Sequence, residues 1–285
     1  MVVTVVIPYF NVRRSWFRAA IESALNQNFY DYEILVVDDN SVLPFAGLDY
    51  EFDNKNIRWI RNDRNIGVSA TRNRGAREAY GRWLAFLDAD DSWHPDKLRM
   101  QVEQMARDNT KWSYTSANIL DAEGNVLDEI CAECEGYILQ HVLSKMVIVG
   151  SCSGVLVDRD LFLEVGGFDE YGDVVEDWDL WIRLSEVESV SIVRSPLVNI
   201  RTSCASRGND PGKVGRVAAL FRKHWAAIEY FGLVDNTKAH LYSLKAKKAV
   251  SCKEYVRAFS LAVLNVWYKK DIGQVKKAIK WLNGR

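Results

Sequence analysis

No stretch of these 285 residues approaches 18 uninterrupted apolar positions, roughly the length at which a segment becomes a candidate membrane span. The sequence therefore predicts no transmembrane helix. The opening residues Met1-Val2-Val3-Thr4-Val5-Val6-Ile7-Pro8 lack a basic leader and run straight into a strand pattern, so they do not read as a signal peptide. Cysteine is scarce and odd in number, five at irregular spacing, which argues against a disulfide framework and for a reduced, cytoplasmic compartment. Cys131-Ala132-Glu133-Cys134 has CxxC spacing, but no second Cys/His pair lies nearby to complete a zinc site, and the pair reads as incidental. The four histidines (94, 141, 224 and 240) show no ligand spacing. No G-x-G-x-x-G follows the first apolar run, which argues against a dinucleotide dehydrogenase.

The composition is that of an ordinary globular chain, 48% hydrophobic and 26% charged, long enough for one large α/β domain and a smaller appendage. Its net charge of −1 hides a polarity. Residues 238–285 carry 12 Lys/Arg against Glu254 and Asp271, a net of +10, which leaves −11 for residues 1–237. Such a basic end is suited to an anionic membrane surface; nucleic acid is not an expected partner. The tail positions Ile272, Val275, Ile279 and Leu282 form an apolar stripe with Lys276, Lys277 and Lys280 off it. That pattern fits either a helix packed on the domain or one lying on a membrane.

Strand and helix signals alternate through the first half. Val2–Ile7, Glu33–Val37, Ile57–Arg61 and Arg82–Leu87 read as strands, with helical spacing at Phe17, Ala20, Ile21, Ala24 and Leu25 and again over Val68–Tyr80. This alternation predicts a mostly parallel, Rossmann-like sheet. Further strands are expected at Trp112–Leu120, Val126–Ile130 and Met146–Val157, and a helix near Glu176–Glu186. From about Gly212 the pattern is almost purely helical. The expected organisation is a domain over 1–210 and a basic helical extension over 211–285.

The chemistry concentrates where strands end. Asp88-Ala89-Asp90-Asp91 follows the apolar run Trp83–Leu87, and ligands of such sheets bind beyond the carboxyl ends of strands. Alternation along an extended path puts Asp88 and Asp90 on one side. Two carboxylates so placed repel unless a cation or proton intervenes, and a hard divalent ion that also grips phosphate is one answer. A solvated acidic turn is the other. Pro8-Tyr9-Phe10-Asn11 and Asp38-Asp39-Asn40-Ser41 end the first two strands on the same edge, where a ring could stack on a base and a carboxylate could accept from a base N–H. Asp39 could equally be a turn or capping residue. Asn65-Ile66-Gly67 and Thr71-Arg72-Asn73-Arg74-Gly75 bring arginines and a helix N-terminus suited to a diphosphate.

These motifs, in this order, resemble the inverting family 2 glycosyltransferases of GT-A fold, over about residues 2–205. The resemblance implies a nucleotide-sugar donor, most often a UDP-sugar, and a glycan or lipid-linked glycan acceptor of the kind used in bacterial surface-polysaccharide synthesis. By position it implies that Pro8, Tyr9 and Asp39 contact the uridine and that Arg72 lies beside the nucleotide. Asp88 would reach the ribose or metal-bound water, and Asp90 would ligate Mn²⁺ or Mg²⁺. Gly166-Gly167-Phe168-Asp169-Glu170 and Glu176-Asp177-Trp178-Asp179-Leu180-Trp181 also resemble the family, in which the carboxylate at the position of Asp177 acts as catalytic base. Helical spacing agrees: Asp177 leads a face with Leu180, Trp181 and Leu184, whereas Asp179 can pair with Arg183 at i,i+4. Where many relatives read Tyr-Arg-x-His, this chain has Ile200-Arg201-Thr202-Ser203, so no histidine is assigned to the metal. Gln-x-x-Arg-Trp is missing too, which favours single addition over processive synthesis. A sugar nucleotidyltransferase would want a basic, Gly-rich loop after the first strand, and a non-catalytic nucleotide-sugar-binding protein would not need Asp177. With the cytoplasmic reading of the cysteines and a lipid-linked acceptor, the basic tail could meet the inner face of the plasma membrane.

Overall fold

A computed structural model describes residues 2–42, 52, 54–171, 175–202, 212–251, 261 and 264. In chain order it comprises β1 (Val3–Tyr9), α1 (Arg14–Leu25), β2 (Tyr32–Asp38), β3 (Ile57–Arg61), α2 (Val68–Glu78), β4 (Trp83–Phe86), β5 (Ser92–Trp93), α3 (Lys97–Asp108), β6 (Trp112–Leu120), β7 (Val126–Ile130), α4 (Leu139–Ser144), β8 (Leu156–Asp158), α5 (Arg159–Glu164), α6 (Glu176–Val187), β9 (Ser191–Arg201), α7 (Lys213–Lys223), α8 (Trp225–Tyr230) and α9 (Val234–Ser251).

The sheet order is β3-β2-β1-β4-β8-β6-β9-β5, with β7 added to β6. The four N-terminal strands are mutually parallel. Strand β8 runs antiparallel to both β4 and β6, and β9 returns parallel to β6. All seven residues of β1 and all seven of β2 are buried, as expected where helices cover both faces of a parallel sheet. Helix α1 supplies one cover by burying Phe17, Ala20, Ile21 and Ala24, a single stripe at helical spacing. Helix α2 passes so close to β1 that a Cβ at Gly75 would lie 2.4 Å from Val6 Cγ1. Close packing, rather than a turn, is therefore what requires that glycine.

The expected strand over Met146–Val157 is the main correction. Only Leu156–Asp158 pairs, and a short 3₁₀ turn at Cys152–Gly154 precedes it. Gly150 has φ +84° and Ser151 φ +50°, a left-handed pair that an extended run of β-branched residues did not foretell. Helix α3 begins at Lys97, with Asp96 as its N-cap and Pro95 just ahead.

The chain divides into two compact units. The first, Met1–Ile138 with Val147–Cys204, contains the sheet. The second, Leu139–Met146 with Ala205–Arg285, is helical throughout its described elements: α4, α7, α8 and α9. Helix α7 buries Val217, Leu220 and Phe221 as an i, i+3, i+4 stripe. The predicted tail stripe from Ile272 to Leu282 lies outside the described residues.

The Gly75 contact is testable. Substitution Gly75→Ala should destabilise the protein by about 1–3 kcal/mol through overpacking, despite alanine's better helix propensity. Chemical denaturation would read this; an unchanged or raised midpoint would show that Val6 can yield.

Candidate active site

The parallel strands deliver their carboxyl ends to one edge. Tyr9 and Asp38 are register partners there, and the Asp39 amide donates to Tyr9 O at 2.8 Å. The loops beyond are tied together: Asn11 N–H donates to Ser41 Oγ at 3.1 Å, and Val42 N–H donates to Asn11 Oδ1 at 3.0 Å. Pro8 is buried in the strand. Tyr9 is 6% exposed, with its ring stacked on Phe17 at 4.3 Å. Phe10, one residue on, is 46% exposed. Of the two rings in Pro8-Tyr9-Phe10-Asn11, the more exposed at this edge is therefore that of Phe10, while Tyr9 lies inward on Phe17 of α1.

Asp39 is a loop organiser. Its Oδ1 accepts from Asn62 Nδ2 and the Ile66 amide, each at 2.8 Å, and its Oδ2 accepts from the Gly67 amide at 2.9 Å. Of roughly four lone-pair sites on a carboxylate, these bonds use three and leave one. Asp39 thus ties the loop ahead of α2, whose N-cap is Gly67, to the end of β2. Asp38 is fully buried and pairs with Arg61 at 2.5 Å.

The centre of the site is Arg72, at 1% exposure. One of its nitrogens donates to Asp88 at 2.5 Å and another to Glu176 at 3.2 Å, with the guanidinium 5.2 Å from the Phe168 ring centre. Burial works against its charge, but Asp88, Cys152 and Glu176 outweigh burial, and the guanidinium holds its proton more tightly than usual. Its Nε has no hydrogen-bond partner among the described residues. Next along α2, Asn73 donates to Phe168 O at 2.8 Å and accepts the Phe168 amide at 2.9 Å. The Arg72-Asn73 pair and the Gly166–Glu170 loop, far apart in sequence, are thereby locked together. The Arg72–Glu176 bond then brings the start of α6 to the end of β4.

Asp177 stands at that start. The helix N-terminus favours a carboxylate, yet burial first, and the Glu176 charge next, push its carboxyl up to about 7. The Trp178 amide, which donates to Asp177 Oδ1 at 2.7 Å, and Arg72 pull the other way. Asp179 and Arg183 form the expected i,i+4 pair at 2.8 Å. Leu180, Trp181 and Leu184 are fully buried, so the apolar stripe behind Asp177 is core.

Three carboxyls crowd the end of β4. Asp88 and Asp90 are partly buried and Asp91 is buried. Burial, then Asp88 and Asp90, push the Asp91 carboxyl well above its ordinary range. Asp91 spends its oxygens on Ser153 Oγ at 2.6 Å and the Arg201 amide at 3.0 Å. Among the described residues no three His, Cys, Asp or Glu side chains form a metal cage. The donor set fits an ion that takes one or two carboxylates and fills its shell with phosphate and water oxygens. The roles of Glu176 and Ser153 were not picked out in the sequence, because nothing local marks their partners.

The first part of the chain, residues 4–127, matches the family model described as "Glycosyl transferase family 2". An uncharacterised glycosyltransferase of Rickettsia felis is 32% identical over 206 residues, covering 70% of this chain and 33% of that protein. This chain belongs to glycosyltransferase family 2. An Escherichia coli relative, UDP-Glc:alpha-D-GlcNAc-diphosphoundecaprenol beta-1,3-glucosyltransferase WfgD, is 25% identical over 253 residues, covering 89% of this chain and 94% of that protein. The crystal structure of S. aureus TarS residues 1–349 with UDP-GlcNAc superposes with a TM-score of 0.64 at 13% identity, covering all of this chain and 93% of that one. The mixed sheet with its helical extension is thus a GT-A fold. The chain spans about a third of the length of the Rickettsia relative.

The raised Asp177 carboxyl has a consequence for this family 2 chain's stability. A carboxyl at about 7 when folded and near 3.8 when exposed gives the folded state the extra proton between those values. Its contribution to stability is then present below about pH 4 and is lost as pH rises through about 7. Asp177→Asn should therefore melt higher than wild type, by a margin that grows from pH 5 to pH 8. A constant margin across that range would contradict the raised value.

Proposed function

We propose that this chain is an inverting, single-addition glycosyltransferase that moves a sugar from a UDP-sugar to a hydroxyl of a lipid-linked glycan, with Asp177 as general base. The observation that carries the reading is the Glu176–Arg72–Asp88 connection, which couples a carboxylate poised near neutrality to the strand end where a nucleotide would sit. The names of two relatives support the substrate class: WfgD uses UDP-Glc and a diphosphoundecaprenol-linked acceptor, and TarS was crystallised with UDP-GlcNAc. Bacterial surface-polysaccharide synthesis is the corresponding setting.

In this mechanism Phe10 offers its face to the uracil ring above the buried Pro8–Tyr9 floor, and Asp39 uses its remaining lone pair on the base N–H. Arg72 holds Asp88 in place for the ribose side of the donor. Asp90, with Asp88 nearby, would hold Mn²⁺ or Mg²⁺ at the diphosphate. A divalent ion there, when bound, supplies Lewis-acid neutralisation of the charge that develops on the leaving group. Asp177 takes the proton from the attacking hydroxyl as the new C–O bond forms, because a sugar hydroxyl is a poor nucleophile at neutral pH. A single displacement at the anomeric carbon inverts its configuration. A base with a carboxyl near 7 is matched to cytoplasmic pH, where a substantial share is ionised and still basic enough to accept a proton. The net +10 of residues 238–285 supports docking of the enzyme at the anionic inner face of the membrane, where a lipid-linked acceptor resides. No described helix is long and apolar enough to cross that membrane.

Two outcomes test the reading. Turnover of a UDP-sugar should rise with pH and level off above about 7, and Asp177→Asn should lower kcat by about 10²–10⁴-fold while UDP binding, followed by calorimetry, persists. A variant with wild-type turnover would remove Asp177 from the chemistry. Asp90→Ala should abolish the Mn²⁺-dependent part of UDP binding; equal isotherms for variant and wild type would exclude Asp90 as the ion's ligand.

A further inference from the structure

The turn that replaced the expected strand lies against the acidic cluster. Ser153, fully buried within it, makes two side-chain bonds to that cluster. Its Oγ accepts the Asp88 amide at 3.0 Å and donates its proton to Asp91 Oδ2 at 2.6 Å. The Asp91 amide donates back to Asp88 O at 3.0 Å, so hydroxyl and backbone close a small ring around Asp88-Ala89-Asp90-Asp91. The other Asp91 oxygen accepts the Arg201 amide, and Arg201 Nε donates to Asp90 O at 3.3 Å.

The Ser153 turn is itself held from behind. Trp93 Nε1 donates to Ser153 O at 2.9 Å, and Gln101 Nε2 donates to Gly154 O at 3.1 Å. Lys97, also fully buried, donates to Gln101 Oε1 at 2.7 Å and lies 4.1 Å from the centre of the Trp93 ring. A hydroxyl has one proton and two lone pairs. Here the proton is committed to Asp91 and a lone pair to Asp88, which fixes the hydroxyl's orientation as well as its place.

We infer that Ser153 is a positioning residue for the donor site: its hydroxyl ties the main chain at Asp88 to the side chain of Asp91 and so sets how the loop presents Asp88 and Asp90. Asp91 is the buried anchor of that loop and not a ligand of the donor complex. The inference rests on the donor-site reading above and deepens it. It explains why the third carboxylate of the cluster is buried, where a solvated acidic turn or a metal ligand would be open.

The test is a double-mutant cycle read by calorimetry of UDP binding to the full chain, with and without Mn²⁺. Ser153→Ala and Asp91→Asn should each weaken Mn²⁺-dependent UDP binding by about ten- to a hundredfold, the usual effect of losing a group that orients a ligand. The double variant should lose less than the product of the two single losses, because both break the Ser153–Asp91 bond. Binding without Mn²⁺ and the far-ultraviolet circular dichroism should stay as in wild type. Wild-type affinity in Ser153→Ala, or losses that multiply in the double variant, would overturn the role. Should Ser153→Ala not fold, Ser153→Cys replaces it in the cycle with the same criterion. No Mn²⁺-dependent UDP binding in wild type would overturn the donor-site reading and this role together; binding kept equally by wild type and Ser153→Ala would overturn this role alone.

Discussion

The Arg72 guanidinium, buried between Asp88 and Glu176, is the interaction on which the rest of the site depends. Taking such a group out of water is costly, by several kcal/mol per ion even after relaxation, and the cost is offset only because two carboxylates meet it at bonding distance. A buried ion group of this kind is a poor source of net stability. What it does supply is geometry: it joins α2, the end of β4 and the start of α6, three segments separated by 16 and 104 residues along the chain. Removing the cation would leave Asp88 and Glu176 facing each other in a nearly dry interior.

The same charge balance governs Asp177. Burial and Glu176 raise its carboxyl, and Arg72 together with the Trp178 amide limit the rise. Arg72 on its own would hold a carboxyl low, and Glu176 on its own would push it further up. The pair leaves it near neutrality, where a base is of most use. Under the function proposed above, proton removal from a hydroxyl is the chemical need that this arrangement would meet.

Much of the architecture was legible in the sequence because period and position carried it. The β-branched runs at Val3–Tyr9 and Tyr32–Asp38 are strands within a residue or two of their expected bounds, and Ile57–Arg61, Trp112–Leu120 and Val126–Ile130 match as read. The Asp179–Arg183 pair follows from helical spacing alone. Where the reading failed, the cause was a contact with no local signature. The Met146–Val157 stretch has strand-like residues, but Gly150 and Ser151 turn the chain so that Ser153 can reach Asp88 and Asp91. Which ring of Pro8-Tyr9-Phe10-Asn11 stays open was not legible, because the stack of Tyr9 on Phe17 that leaves Phe10 exposed has no local signature. Glu176 carried no signal of its own within its motif, since its partner lies 104 residues away.

The account turns on a carboxyl poised by its neighbours, and the most direct measurement is a ¹³C NMR titration of the Asp177 side chain in the full chain. A midpoint near 7 is the expected result. A midpoint near the ordinary aspartate value of about 3.9 would mean that neither burial nor Glu176 bears on the group, and the base assigned to this site would have to be sought elsewhere.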